Sequence, residues 1–286
     1  MEERDQQAAV RKIARDGDPD RYASALFAPP RARDDLFALY AFNTELARIG
    51  EQVSEPQLGE IRLQWWRDAL DRAAADEITG HPVVDAIGRT ARRCALSRAN
   101  LAGLIDARSF DVSTKIMPDA GALATYLANT AGALLLLAAE ITSAGSRDVE
   151  PAALEPVAYT AGAAYGLTGL MRAMPFHAAR GRVDLPADAL LRHGTSPMRL
   201  LAGDMSEGLA ELLGEMRGKA KDALRGVLPQ IAALPPATRA AFLPLALVAP
   251  YLAALQKQPD PFREIAEINP LYRLWRLATY RFRGAA

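Results

Sequence analysis

Apolar positions recur at spacings of three and four along most of this chain, the pattern of amphipathic helices packed on a shared core. It is clearest after Pro29-Pro30, where Leu39, Phe42, Leu46 and Ile49 mark one face of DDLFALYAFNTELARIGEQ. Ser54-Glu55-Pro56 punctuates that run, and LGEIRLQWWRDALDRAA forms the next helix until Gly80-His81-Pro82 breaks it. Periodic segments predict further helices over about 83–94, 98–112, 119–143 and 150–173. A Pro-, Gly- and Arg-rich loop follows, and the pattern resumes over about 187–193, 203–231, 236–255 and 259–282. Alternating apolar and polar runs are scarce. Asp16-Gly17 has no strand-like neighbours and reads as a turn, not a hairpin. Pro and Gly fall between helices instead of clustering at one boundary, so residues 1–286 are expected to form a single all-α helical bundle. The first 18 or so residues are expected to be a loose amino-terminal segment.

Composition narrows the function classes. Half of the 286 residues are hydrophobic, ample for a large core, and 34 basic residues balance 34 acidic ones. A neutral chain without a basic block gives no reason to expect nucleic acid as a partner. Cys94 is the only cysteine, so it reads as a small core residue in a reducing compartment. The opening MEERDQQAAVRK lacks the apolar stretch of a secretory signal, and Ala131–Ala139 is about half the length of a spanning helix. The expectation is a soluble cytoplasmic chain, with peripheral contact at the inner membrane face left open.

Four segments carry candidate chemistry. Glu45, Arg48 and Glu51 are spaced to pair along one helix face, either as a solvated ladder or as the remains of a site. Trp65 and Trp66 point about 100° apart on a helix, so only one can face the core, while Asp68 and Asp71 read as solvent-facing. In GLTGLMRAMPFHAARGRVDLP a helix is expected to stop at Pro175, placing His177, Arg180 and Arg182 within six residues. That cluster suits an anion, or else ties down a helix end. The final NPLYRLWRLATYRFRG mixes Arg273, Trp275, Arg276, Arg281 and Phe282, as a membrane- or partner-contacting helix does, or a closing helix with arginines outward. No nucleophile elbow, phosphate loop, dinucleotide fingerprint or zinc spacing is present.

Three of these runs in this order, FALYAFNTELARIGE, LGEIRLQWWRDAL and the stretch from Ala163 to Pro186, resemble the squalene/phytoene synthase family over roughly residues 20–280. The resemblance implies helices around a central cavity. In active members, two aspartate-rich motifs hold Mg²⁺, which stabilises the diphosphates lost as two prenyl diphosphates join head to head. Here Ala47, Arg48 and Glu51 stand at the first motif's aspartate positions, and Ala173 and His177 at the second's. Gly166 and Gly169 replace the amides usual upstream, whereas Arg172, Arg180, Gly181, Arg182, Leu185 and Pro186 fit the scaffold.

A narrower likeness runs through YAFNTELA, VSEPQLGEIRLQWWRDAL and MRAMPFHAARGRVDLP. These are similar to the aspartate-lacking branch that includes the mitochondrial assembly factor for respiratory complex I. That likeness implies a non-catalytic protein whose partners are complex I subunits or assembly intermediates. The scaffold retained around the replaced aspartates points to a vestigial pocket or anion site at Tyr40, Arg48, Glu51, Arg172, His177, Arg180 and Arg182, open to an isoprenoid or quinone-like ligand. No cofactor is expected. Mg²⁺ enters only under the alternative of an active transferase, with Glu51 joined by Asp68 or Glu140. A third reading is a helical module that works through its surface without a pocket.

Overall fold

Proline opens half of the α-helices, because the first helical residue needs no amide donor and benefits from a fixed φ. The computed structural model describes residues 3–53, 55–113, 116–146, 148–258, 260–263 and 265–283. Its helices are α1 (Glu3–Gly17), α2 (Pro19–Leu26), α3 (Pro30–Gln52), α4 (Pro56–Ala74), α5 (Pro82–Cys94), α6 (Arg98–Ala107), α7 (Ser109–Ser113), α8 (Ala120–Leu127) and α9 (Ala133–Ser143). They continue with α10 (Pro151–Ala179), α11 (Ala187–Arg192), α12 (Pro197–Leu201), α13 (Glu207–Ala233), α14 (Pro236–Arg239), α15 (Val248–Lys257) and α16 (Pro270–Arg283). Among the described residues there is no strand, only an isolated bridge between Ile116 and Val183. This is the all-α bundle expected from periodicity.

Helices α3 and α10 carry the core. Leu36, Leu39, Tyr40, Phe42 and Leu46 of α3 are buried, and α3 packs against α1, α5 and α9. Helix α10 lies along α13, α9 and a π-helical turn at Ala128–Gly132 that joins α8 to α9. Close approach there depends on glycine: a Cβ on Gly162 would sit 2.4 Å from the Cα of Gly132. The α8–α9 run and residues 236–257 are long and apolar enough to cross a membrane, but 72% of each window is buried, as in core helices.

Several boundaries differ from the sequence expectation. Residues 3–17, expected to be loose, form α1, because Val10 and Ala14 are buried in the common core. The helix expected to stop at Pro175 runs on to Ala179, its packing on α13 outweighing the lost amide donor. It ends instead at Gly181, whose φ of +75° is the left-handed conformation that glycine adopts freely. The 98–112 segment is split at Arg108, and the last helix begins only at Pro270. Of the tryptophan pair, Trp66 is 5% exposed against Phe42, while Trp65 is 46% exposed beside His81.

Candidate functional site

The turn that ends α10 sets up a cluster of buried charges. The Arg182 amide donates to the His177 carbonyl (2.9 Å) and the Gly181 amide to Ala178 (2.9 Å), a paired C-cap that folds the chain back over the last helical turn. Met117 donates its amide to Val183 (2.8 Å) and accepts from Ala187 (2.8 Å), pinning the returning strand of chain. Asp184 is thereby held against His177, whose Nδ1 hydrogen-bonds to its Oδ2, and 2.9 Å from Arg182 Nε. Burial pushes the Asp184 carboxyl up, but the His177 hydrogen bond and the charge of Arg182 hold it below the usual carboxylate value.

Facing this turn is a second set of groups. Arg108, where α6 gives way to α7, donates to Asn43 of α3 (3.0 Å) and to Asp111 (2.9 Å). The Tyr126 hydroxyl donates to the other oxygen of Asp111 (2.9 Å), and burial raises that phenol far above its ordinary value. Arg182 reaches the same carboxylate at 3.3 Å. Arg21 of α2 completes the wall, paired with its own cap residue Asp18 (2.6 Å) and lying 4.4 Å over the Tyr165 ring. Together they surround a cavity of about 220 Å³ between α3, α10 and the π-helical turn. Irregular helical turns of this type recur beside functional sites.

The sequence candidates divide around this cavity. Glu51, His177 and Arg182 line it, as do Ala47 and Ala173. Tyr40 is buried in the α3 core, outside the lining, and Arg48 turns away to Glu45 at 3.6 Å. Arg180 is exposed and donates to the Phe176 carbonyl (3.4 Å), so it caps the helix end and does not line the cavity. Arg172 belongs to another cluster. Its guanidinium lies 3.5 Å over the Tyr251 ring and 3.6 Å from Asp20, a buried carboxylate that also takes the Tyr251 hydroxyl and Arg273.

That second cluster corrects the expectation for the last helix. Arg273 pairs with Asp20 at 2.9 Å, Arg276 donates to the Ala246 carbonyl and Arg281 to the Phe27 carbonyl. These arginines face the protein because a buried carboxylate and free carbonyls need their donors. Trp275 is the one that stays out, 54% exposed and stacked on Tyr272, with Leu271 and Leu274 exposed alongside. The Phe282 side chain lies outside the described residues.

Four charged or phenolic lining groups escaped the sequence reading, Arg21, Arg108, Asp111 and Tyr126, as did Asp184, which holds the lining residues His177 and Arg182 from behind. The i, i+3 pairs Asp18/Arg21 and Arg108/Asp111 were visible signals, although the same spacing is common on helix surfaces.

The donor set does not suit a magnesium cluster. Such a cluster needs several convergent carboxylate oxygens, and among the described residues no three His, Cys, Asp or Glu converge on one point. Asp111 and Asp184 are already engaged by arginines. Asp68 accepts from Gln64 on the exposed side of α4, and Glu140 from the Ser97 amide, so neither joins Glu51 at the cavity.

Comparison with known proteins follows the same lines. The chain is 30% identical over 246 residues to a Bos taurus protein named NADH dehydrogenase (ubiquinone) complex I, assembly factor 6, covering 86% of this chain and 72% of that one. A Drosophila melanogaster homolog of that factor is 27% identical over 248 residues, 84% of this chain and 72% of its own. In fold this chain is similar to a dehydrosqualene synthase solved with a ligand, at a TM-score of 0.82 and 17% identity over 97% of each chain. It is also similar to a squalene synthase from Alicyclobacillus acidocaldarius, at a TM-score of 0.77 and 20% identity over 90% of this chain and 95% of that one. The squalene/phytoene synthase family model matches residues 14–278, and the chain belongs to that family.

Proposed function

We propose that this chain is a non-catalytic member of its family that assists assembly of respiratory complex I. The observation that carries the reading is the content of the cavity. Where the family chemistry needs carboxylates free to gather metal, this chain has Asp111 and Asp184 engaged by Arg108, Arg182 and His177. Carboxylates paired in this way are neutralised by the arginines, and among the described residues no carboxylate cluster is left for a cation. Space argues the same way. A cavity of about 220 Å³ is below the range of roughly 300–1,000 Å³ typical of ligand pockets, and head-to-head coupling must seat two prenyl chains.

Relatives named as assembly factors supply the role itself. A protein of this kind works on subunits or intermediates of a membrane enzyme, from the cytoplasm and at the inner membrane face. An isoprenoid or quinone-like ligand would enter the cavity by one end, against Arg21, Arg108 and Arg182.

The test is genetic and biochemical. Cells lacking the chain should lose assembled NADH:quinone oxidoreductase, measured by native gels and NADH oxidation in membranes, and the wild-type chain should restore it. Normal enzyme levels in the deletion strain would reject the assembly role.

A further inference from the structure

A different face of the molecule concentrates positive charge that the neutral sequence conceals. Two adjoining concavities, of about 500 and 460 Å³, share Gln7 and Arg11 and together run along α1 to α3 and α5. Arg31, Arg89 and Arg93 line the first, Arg4, Lys12 and Arg15 the second, and Arg11 both. Seven basic groups thus face two acidic ones, Asp34 and Asp35. Some are internally committed: Arg11 pairs with Asp34, Arg93 with Asp35, and Lys12 and Arg15 with Asp16 just outside. Among the described residues, no ion pair engages Arg4, Arg31 or Arg89, so an excess of cation stands along the whole groove.

We infer that this groove docks an acidic segment of another polypeptide. Three observations select that occupant. The charge calls for carboxylates, and guanidinium groups pair with them through two parallel hydrogen bonds. The surface is concave and its floor is the stacked pair Tyr22 and Phe37, 4.8 Å apart, which suits one helix face or extended strand. A lipid bilayer fits less well. Membrane-seated faces carry protruding apolar anchors, and among the described residues Leu26, outside the groove lining, is the one exposed large hydrophobic side chain on α1, α2, α3 or α5. Single-stranded nucleic acid needs aromatic rings offered to successive bases, whereas Phe37 is 3% exposed beneath Arg11 and the half-buried Tyr22 has one face taken up by stacking on Phe37. Nothing in this groove depends on the assembly role or on the cavity at His177.

The experiment measures fluorescence anisotropy of a labelled amphipathic Glu/Leu peptide titrated with the full chain, at low and high salt. A Gln/Leu peptide, phosphatidylglycerol vesicles and a single-stranded oligonucleotide serve as competitors. The variants are Arg31→Glu with Arg89→Glu, and Lys221→Glu with Arg225→Glu on α13 as the charge control, each checked by circular dichroism. Docking in the groove predicts binding of the acidic peptide alone, weakened by salt and at least about tenfold by the Arg31/Arg89 pair of substitutions but not by the control. Absence of acidic-peptide binding, or equal weakening by both pairs of substitutions, would overturn it. So would tighter binding of vesicles or oligonucleotide that depends on Arg31 and Arg89.

Discussion

Arg182 and Asp111 stand 3.3 Å apart across the cavity, joining the turn after α10 to the short helix α7. Both side chains are largely buried, and Asp111 also holds Arg108 and Tyr126. A fold that needed this carboxylate for metal would have to break three contacts to release it.

Removing the hub should therefore be severe. Asp111→Ala leaves Arg108 buried without its carboxylate partner and Arg182 with Asp184 alone, a loss of about 3–5 kcal/mol. Asp111→Asn keeps one acceptor and should lose less. Chemical denaturation of the two variants beside wild type measures both, and an unchanged midpoint for Asp111→Ala would refute the network's structural role.

The Asp184 carboxyl gives a pH signature. Its folded value lies below the ordinary one, so the unfolded chain binds more protons over the interval between them. The stabilisation is complete above the unfolded value of about 3.9 and is lost as pH falls through the folded value. Acid titration followed by circular dichroism should show wild type losing stability more steeply below about pH 4 than Asp184→Asn, which has no such proton to take up. Parallel curves would contradict the assignment.

Close packing of α10 on the π-helical turn can be tested at one atom. Gly162→Ala would place a methyl 2.4 Å from the Gly132 backbone, and backbone cannot yield as a flexible side chain does. The expected cost is about 1–3 kcal/mol, read as a lowered Tm. Gly169→Ala on the same helix meets nothing within 4 Å and should be tolerated.

Helix α16 is predicted to sit with Leu277 inward and Trp275 outward. Leu277→Ala should cost about 2–5 kcal/mol, since that side chain is fully buried. Trp275→Ser should stay within about 0.5 kcal/mol. Equal losses at the two positions would mean that the helix packs by another face.

Much of this architecture could be read from periodicity. Leu39, Phe42, Leu46 and Ile49 announced α3, and the punctuation at Pro56 and Pro82 placed α4 and α5. The amino-terminal helices were harder to see. Their short apolar rows, such as Val10 and Ala14, gain meaning only against α3. Pro175 misled for a related reason: the cost of a proline is local, whereas the packing that offsets it comes from α13, some 40 residues away in sequence. Site residues follow the same rule. His177 and Arg182 stood out by composition, but Asn43 meets Arg108 across 65 positions and Arg273 meets the buried Asp20 from the far end of the chain. Contacts at that range leave no periodic trace.

The most direct test of the account is turnover. Purified protein is incubated with labelled farnesyl and geranylgeranyl diphosphates and Mg²⁺, with and without NADPH, beside an active dehydrosqualene synthase as control. The arginine-occupied cavity predicts no diphosphate release and no coupled product while the control turns over. Mg²⁺-dependent release of diphosphate by this chain would contradict it.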